Sequence, residues 1–427
     1  MPRIFKTTNV VLALLCAMYF ITYIVRQNVN TAGGPIQQEF GLSNTQLGLI
    51  FSAYGIPYLL FQIIGGWTAD HFGPRRTLFV SGIVWAGATI LTSLAFDFYS
   101  LFALRVLMGF GVGATLPTAT RAMQHWVEAK KRGFAQGITH AFARLGNAAT
   151  PLLIAALMSA IEWRGSFIAV GAFGFIWVFV WLWYFRDDPK EHPSITQAEL
   201  ALLPNRPKGP KPIVPWGPLI QRMWPVTVTY FCYGWSLWLY LNWLPLFFKN
   251  TYSLDIKQSA IFATGVFLAG VVGDTLGGVL SDAIYHRTGN VRLARISISV
   301  LGFGGALLSL VPILYVRDIN IVAICLTSGF FFEELVIGPM WAIPMDIAPK
   351  YSGTAAGLMN TGSALAAILS PAIAGYVIDL TGNWYLPFIM SIGVLAVGAL
   401  MSFAMHPERQ FTDEGMPLAP PRAAPAE

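Results

Sequence analysis

The sequence predicts an all-helical membrane protein with twelve transmembrane helices in two six-helix bundles. Its 427 residues are 55% hydrophobic and only 11% charged, whereas a soluble domain carries about 25% charged residues. Apolar runs of about 20 residues recur, each long enough to cross the hydrocarbon core of a bilayer. A loop motif also occurs twice, half a chain length apart, which indicates two structurally related halves.

The repeated motif is GGWTADHFGPRR at residues 65–76 and, in degenerate form, GGVLSDAIYHRTGNVR at residues 277–292. Both copies read GGxxxD followed by basic residues, and each lies where apolar sequence stops. The glycine pairs are expected to let helices pack closely. The polar residues predicted to have gating or structural roles here are Asp70, Arg75, Arg76 and Asp282.

Twelve apolar stretches account for the spans, six in each half. The first follows the short basic N-terminus MPRIFKTTN and lacks a small-residue cleavage site, so we predict a retained span and no signal peptide. The predicted spans are residues 10–33, 44–69, 76–96, 99–122, 133–158, 165–185, 223–247, 257–281, 293–315, 319–345, 352–379 and 385–405.

Polar segments divide the chain. We predict an N-terminal bundle at 1–186, a cytoplasmic loop at 187–222, a C-terminal bundle at 223–406 and a disordered tail at 407–427. The loop is charged and rich in proline, as in a linker, and an Ala/Leu run around Glu199 predicts one short surface helix. The tail ends in PLAPPRAAPAE, a composition typical of disorder.

Basic residues concentrate in alternate loops: Arg75 and Arg76, then Lys130, Lys131 and Arg132, then the central loop, then Arg287 and Arg292. Positive loops face the cytoplasm, so we expect both termini to lie there in a bacterial-type inner membrane. These basic cytoplasmic loops also explain the net charge of +6, so we do not expect a nucleic-acid partner.

The three cysteines, Cys16, Cys232 and Cys325, all fall inside apolar runs, where they are expected to pack as small apolar residues. The sequence contains no evident nucleophile–base set or metal-ligand cluster. We therefore expect no enzyme activity, no cofactor and no metal. The lipid bilayer is the expected environment, and we expect a monomer.

Charged residues within the spans are costly in hydrocarbon and mark candidate sites. In span one, Arg26 shares a helix face with Tyr19, Tyr23 and Asn30, because their spacings are three and four residues. This face is expected to line a cavity in which Arg26 binds an anion. In the alternative, the head group of Arg26 reaches the periplasmic interface.

Span five carries a polar stripe of His140, Arg144 and Asn147. Arg144 lies too deep to reach the interface, so it needs an anion, a carboxylate partner or a water-filled cavity. We expect Arg144 to bind the substrate. His140 is a second candidate, for which simple packing is the alternative.

Span ten carries Glu333 and Glu334 near its middle. Adjacent helical residues point about 100° apart, so one of them is expected to face the cavity. A buried carboxyl can load and release a proton, and it can also pair with a buried arginine of the other half. Asp274 lies nearer the cytoplasmic end of span eight and is expected to serve the loop motif.

The remaining candidates are polar or aromatic residues of other spans. Arg105 begins an RxxxGxxxG pattern near the periplasmic end of span four, where it has a structural role or reaches the interface. The further substrate-binding candidates are Tyr54, Tyr233, Trp235, Asn242 and Asn360, with Trp238 as a weaker signal.

These motifs resemble the major facilitator superfamily along nearly the whole chain: GGWTADHFGPRR resembles its second loop, and RVLMGFGVG its fourth-helix arginine motif. CYGWSLWLYLNWLPLFF, DDPKEHPSITQAEL and MDIAPKYSGTAAGLMNTGSALAAILSP resemble its anion:cation symporter family, which carries sugar acids and other organic anions. The resemblance implies that Arg26 contacts a substrate carboxylate and that Arg105 is the fourth-helix arginine. It also implies that Tyr54 and Asn360 line the pocket.

Two positions depart from that family. Val25 replaces an aspartate before the first-helix arginine, and Val112 replaces a glutamate in the fourth helix. Because those acids are linked to proton coupling in relatives, we expect coupling to use Arg144 with Glu333 or Glu334. The predicted function is import of a small organic anion, a carboxylate or sugar acid, with proton symport. The alternatives are an exchanger or uniporter, a drug-type exporter, and a non-transporting sensor.

Overall fold

The computed structural model of the chain describes residues 6–128, 132–203 and 214–411. Within those ranges the regular structure is helical, with no strand. The α-helices are α1 (Thr7–Phe40), α2 (Asn44–Ser52), α3 (Gly55–Phe72), α4 (Pro74–Thr92), α5 (Phe98–Trp126), α6 (Arg132–Tyr184), α7 (Gln197–Leu202), α8 (Trp216–Tyr252), α9 (Ile256–Thr288), α10 (Val291–Leu310), α11 (Ile319–Glu334), α12 (Ile337–Ile347), α13 (Ser352–Thr381) and α14 (Leu386–Ser402).

Twelve spans are recognisable in this helix order. Seven described helical segments are individually long and apolar enough to cross a membrane. Span two is formed by α2 and α3, and span ten by α11 and α12. Spans five and six are joined in α6 at a kink where Glu162 adopts a φ of 59°. The short helix predicted in the central loop is α7, outside the spans.

The first glycines of the two loop motifs occupy equivalent packing sites. A Cβ at Gly65 would lie 2.4 Å from the Cα of Ala114 on α5. A Cβ at Gly277 would lie 2.1 Å from the carbonyl oxygen of Leu335, between α11 and α12. Only glycine therefore permits α3 to cross α5, and α9 to cross span ten, at backbone contact. This shared requirement explains why the sequence repeats the glycines.

The first and last described residues and the described parts of the central loop lie on one side of the bundle, which we call the terminus side. The contacts that establish this are Thr7 with Ser194, Arg75 with Asp187, Arg222 with Met405, and Arg292 with Glu408. Residues 407–411 belong to this packed layer. The disorder predicted for the rest of the tail, and the predictions for Lys130 and Lys131, fall outside the described residues.

The two halves meet on the opposite side, which we call the far side. The Asp379 carboxylate, near the end of α13, accepts hydrogen bonds from the backbone N–H groups of Asn44 at 2.9 Å and Thr45 at 2.6 Å. Both side chains donate to it as well. Because Asn44 begins α2, the carboxylate lies at a helix N-terminus, where the helix dipole favours negative charge. Asp379 therefore joins the two halves.

The start of α13 lies on the terminus side, at the opposite end of the helix from Asp379. Gly353 and Gly357 lie one helical turn apart there, and a Cβ at either position has no neighbour within 4 Å among the described residues.

Candidate functional site

Arg26 lies deep in the bundle. Helix α1 continues to Phe40, beyond the predicted end of the span at residue 33. The side chain is buried, with 4% of its surface exposed. Its guanidinium therefore cannot reach the far-side interface, and the interfacial alternative from the sequence does not apply.

Four aromatic rings surround the Arg26 guanidinium. Its Cζ lies 4.8–5.4 Å from the ring centroids of Tyr23, Tyr54, Tyr58 and Trp238, and its Nη2 donates to the Tyr54 hydroxyl at 3.4 Å. The negative faces of aromatic rings attract cations. Trp238 lies on α8, so side chains of both halves contribute to this aromatic cage.

Arg105 is a second buried cation beside the first. Its Nη2 donates to the backbone carbonyl of Arg26 at 3.3 Å, and its Cζ lies 5.1 Å from the Tyr54 ring centroid. With 2% of its surface exposed, Arg105 belongs to the interior of the N-terminal half. The Nε atoms of Arg26 and Arg105 have no partner, and neither guanidinium pairs with a described carboxylate. This part of the site carries uncompensated positive charge.

Arg144 joins the two halves near the middle of the bundle. Its Nε lies 3.1 Å from the Asp274 carboxylate on α9, and its Nη2 lies 3.3 Å from the Glu334 carboxylate on α11. The Tyr233 hydroxyl on α8 donates to Glu334 at 3.1 Å. The partly buried Arg144 is thus paired with two carboxylates, and one of them also accepts a hydrogen bond from Tyr233. The assignment of Asp274 to the loop motif is wrong, because its carboxylate pairs with Arg144.

The two adjacent glutamates have different environments. Both are 1% exposed, but only Glu334 contacts the other half. Neither carboxylate oxygen of Glu333 has a hydrogen-bond partner. Glu333 is therefore buried in protein, and Glu334 is the glutamate that contacts the other half.

The polar stripe of α6 lies between the two halves. The His140 ring packs edge-on against Tyr19 with centroids 5.6 Å apart, and it lies 6.1 Å from the ring of Trp341 on α12. Asn147 is buried, and its Oδ1 has no partner. Asn147, Arg144 and Glu334 line a cavity of about 10 Å³. That volume is close to the minimum for one water molecule.

The remaining substrate-binding candidates differ in what their side chains contact. Tyr54 and Tyr233 contact the buried arginine and glutamate, respectively. The Asn242 side chain donates to the carbonyl of Trp238 in its own helix at 2.6 Å. Trp235 packs beside Phe231 with ring centroids 6.1 Å apart. Asn360 is partly exposed on α13 and makes no hydrogen bond within the described residues, so it remains a candidate without a partner.

The loop-motif residues have contacts within their own halves. Arg75 donates from Nη2 to the carbonyl of Leu182 at 2.6 Å. Arg76 is exposed, and the side chain of Asp70 lies outside the described part of the chain. In the second copy, Arg295 on α10 binds Asp282 and Asp346, each at 3.0 Å. Asp282 therefore has a structural contact within the C-terminal half.

Sequence reasoning missed Tyr58 and underrated Trp238. Tyr58 in α3 lies four residues after Tyr54, the residue that precedes this helix, so helical spacing could have identified it. The approach of Trp238 to Arg26 has no such local signal, because the two residues belong to different halves.

Comparisons with known proteins show the family to which the chain belongs. The Major Facilitator Superfamily profile matches residues 15–371. A protein of Cupriavidus necator named "Probable sulfoacetate transporter" is 46% identical, over 95% of this chain and 96% of its own length. The hexuronate transporter of Bacillus subtilis is 28% identical, over 89% of this chain and 90% of its own.

The fold comparison agrees. A crystal structure of a bacterial homolog of the human lysosomal transporter Spinster superposes with a TM-score of 0.79 at 17% identity, covering 93% of this chain and 97% of that one. At that identity the match concerns the fold alone. The chain belongs to the Major Facilitator Superfamily and is a multi-pass membrane transporter, not an enzyme.

Proposed function

We propose that the protein imports a small organic anion by alternating access, with protons as the coupling ion. The observation that carries the proposal is the pair Arg26 and Arg105, buried together without an ion pair to any described residue. Burying a charge without a counter-ion is costly. An anion that enters between the halves would remove that cost, and the aromatic cage stabilises the site until it does.

The chemistry of the site favours a carboxylate or a related oxyanion. A guanidinium can donate two parallel hydrogen bonds to such a group, which gives both affinity and orientation. The relatives named for sulfoacetate and hexuronate carry substrates of this class. Sulfoacetate is the first compound to test, because its named carrier is the relative at 46% identity.

Arg144 supplies the switch between states in this proposal. Its partners Asp274 and Glu334 belong to the other half, so the ion pairs hold the halves together. A substrate anion would compete with these carboxylates for the guanidinium. Loss of its counter-charge would leave Glu334 buried and unpaired, and a neutral carboxyl is less costly to bury than a carboxylate. Proton uptake would then accompany anion binding.

We further propose that both termini face the cytoplasm of a bacterial inner membrane. The terminus side carries Arg75, Arg76, Arg186, Arg287 and Arg292, and basic loops remain on the cytoplasmic side. The start of α13, around Gly353 and Gly357, would then face the cytoplasm. In an importer, this is the side on which substrate is released.

The test is uptake of labelled sulfoacetate into proteoliposomes, with and without an imposed pH gradient, beside glucarate and a hexuronate as competitors. We expect accumulation that depends on the gradient and disappears in Arg26→Ala. An exposed arginine, Arg287→Ala, is the matched control and should transport normally. If none of these anions is bound or transported, the proposed substrate class is wrong.

An exchanger is the second candidate, and a specific observation favours it. Val25 and Val112 are fully buried and stand where the family that the chain resembles usually has acids, so neither position can titrate. Rapid exchange of internal for external anion, without accumulation under a pH gradient, would support exchange and exclude symport.

A further inference from the structure

An apolar groove opens on the outer surface of the N-terminal half, away from the anion site. It lies between α3 and α4, has α5 as its floor, and has a volume of about 430 Å³. Ile64, Val80 and Phe110 line it, one from each helix, and all three are exposed. Exposed apolar side chains on the outside of a membrane bundle contact hydrocarbon, so the groove is open to the lipid.

The groove walls offer few free groups to a polar ligand. Three hydroxyl side chains line it, those of Thr68, Thr77 and the buried Ser81. Two of them are already used: Thr68 Oγ1 donates to the carbonyl of Gly65, and Thr77 Oγ1 donates to the carbonyl of Gly73, each at 3.0 Å. A sugar or other polyol would lose most of its hydrogen bonds to water here without replacement. A hydrocarbon chain would lose none.

The length of the groove matches one leaflet. Its residues on α4 extend from Arg76 to Val84, a rise of about 12 Å at 1.5 Å per residue. One leaflet provides about 15 Å of hydrocarbon. The groove therefore extends from the terminus-side surface of the membrane toward its middle, as a lipid chain does.

A cation lies at the surface end of the groove. Arg76 is exposed, lines the groove, and forms no hydrogen bond or ion pair with a described residue. Its neighbour Arg75, by contrast, is bound to the carbonyl of Leu182. A free guanidinium at this depth matches a lipid phosphate in both charge and geometry.

We propose that this groove binds one acyl chain of an anionic phospholipid from the terminus-side leaflet, with the head group held by Arg76. The site is separate from the anion pathway, and its binding can be measured without transport. The negative charge of such a lipid supplies a counter-ion for Arg76, and the groove replaces the contacts that the chain makes in the bilayer.

The experiment is native mass spectrometry of the purified, detergent-solubilised protein titrated with phosphatidylglycerol or with phosphatidylcholine of identical chains. The affinity for the first bound lipid is compared among the wild type, Arg76→Gln, Val84→Phe and Arg287→Gln. Val84→Phe fills the inner end of the groove. Arg287→Gln removes an exposed arginine on the same side of the membrane, in the second motif copy, away from the groove. Melting temperatures confirm that each variant is folded.

We expect the wild type to prefer phosphatidylglycerol about fivefold, the effect of one basic residue at an anionic lipid surface. Arg76→Gln should remove the preference, Arg287→Gln should keep it, and Val84→Phe should weaken the binding of both lipids. Equal binding of the two lipids by the wild type, or a preference that survives Arg76→Gln, overturns the head-group contact. Unchanged lipid binding in Val84→Phe overturns the groove as the chain site.

Discussion

The guanidinium of Arg144 and the carboxylate of Glu334 lie 3.3 Å apart on different halves of the protein. An ion pair within one half can persist while the halves rotate, but one that bridges them must break or rearrange. Separating Arg144 from both Glu334 and Asp274 inside the membrane leaves uncompensated charges, which is costly unless a substrate anion and a proton replace the partners. This relationship motivates the predictions about transport.

Arg26→Ala should lower substrate affinity by about 2–5 kcal/mol, because it removes the counter-charge of a desolvated anion. Arg26→Lys should lower substrate affinity by a similar amount, since an ammonium cannot reproduce two parallel hydrogen bonds. Isothermal titration with purified protein measures both. Arg144→Ala should also abolish binding, and normal affinity in that variant would show that Arg144 does not touch the substrate.

The two glutamates form a matched pair of variants. Glu334→Gln should abolish pH-driven accumulation while substrate exchange continues, because the variant keeps the shape and the Tyr233 contact but cannot change charge. Glu333→Gln should retain coupling, since Glu333 contacts neither Arg144 nor the other half. Proteoliposome uptake under a pH gradient distinguishes them. Accumulation by both variants would exclude proton coupling through span ten.

Asp379→Asn should weaken closure of the far side. The variant removes a charge from the N-terminus of α2, an interaction of about 1 kcal/mol, and the populations should shift about fivefold toward the outward-open state. Labelling of a single cysteine introduced on the far side measures this shift. Asp255→Asn is the control, because Asp255 caps α9 on the same side within one half. Equal labelling of both variants would contradict the assignment.

Asp70→Asn should act in the opposite direction, by loosening closure at the terminus side. The hypothesis is that Asp70 approaches the start of α13, around Ser352 and Gly353, when the cavity opens outward, and that Arg75 and Arg76 reinforce the contact. Cysteine labelling at the terminus-side mouth should increase in the variant. Unchanged accessibility there would refute the gate role of Asp70.

Adjacent glycines of the loop motif should respond differently to alanine. Gly65→Ala places a Cβ 2.4 Å from the Ala114 backbone, an overpacking that costs about 1–3 kcal/mol. Gly66→Ala meets its nearest neighbour at 3.8 Å, an ordinary contact, and alanine favours helix. Thermal unfolding in detergent should show a lower Tm for Gly65→Ala alone. Equal Tm values would mean that α3 and α5 can separate without cost.

Glu199 should make stability depend on pH near the start of α1. Burial opposes its ionisation, but hydrogen bonds from Thr196 and Thr8 outweigh burial and lower the pKa of Glu199. A depressed pKa contributes stability that is present above the unfolded value of about 4.3 and is lost as pH falls through the folded value. Glu199→Gln should therefore lower Tm at pH 7 and converge with the wild type in acid. Glu191 is exposed in the same loop, so Glu191→Gln should leave Tm unchanged at pH 7 and in acid. A Tm difference between Glu199→Gln and the wild type that does not depend on pH would contradict this origin.

Much of the fold was predictable from local properties of the chain. Apolar run length identified all twelve spans, although it missed the extension of α1 to Phe40 and the breaks within spans two and ten. Those details depend on packing. The break after Glu334, for example, occurs where Gly277 of α9 contacts the backbone at Leu335. No pattern in the sequence of span ten predicts that contact.

The sequence by itself determined that this protein crosses the membrane in two related halves and that Arg26, Arg144, Glu333 and Glu334 are charged residues within its spans. Hydropathy and the cost of charge in hydrocarbon are properties of each segment alone. Only the tertiary structure decided that Glu334 pairs with Arg144, that Asp274 joins them, and that Trp238 completes the cage of Arg26. Those contacts join different halves, so they depend on the relative rotation of two bundles, which no segment specifies alone.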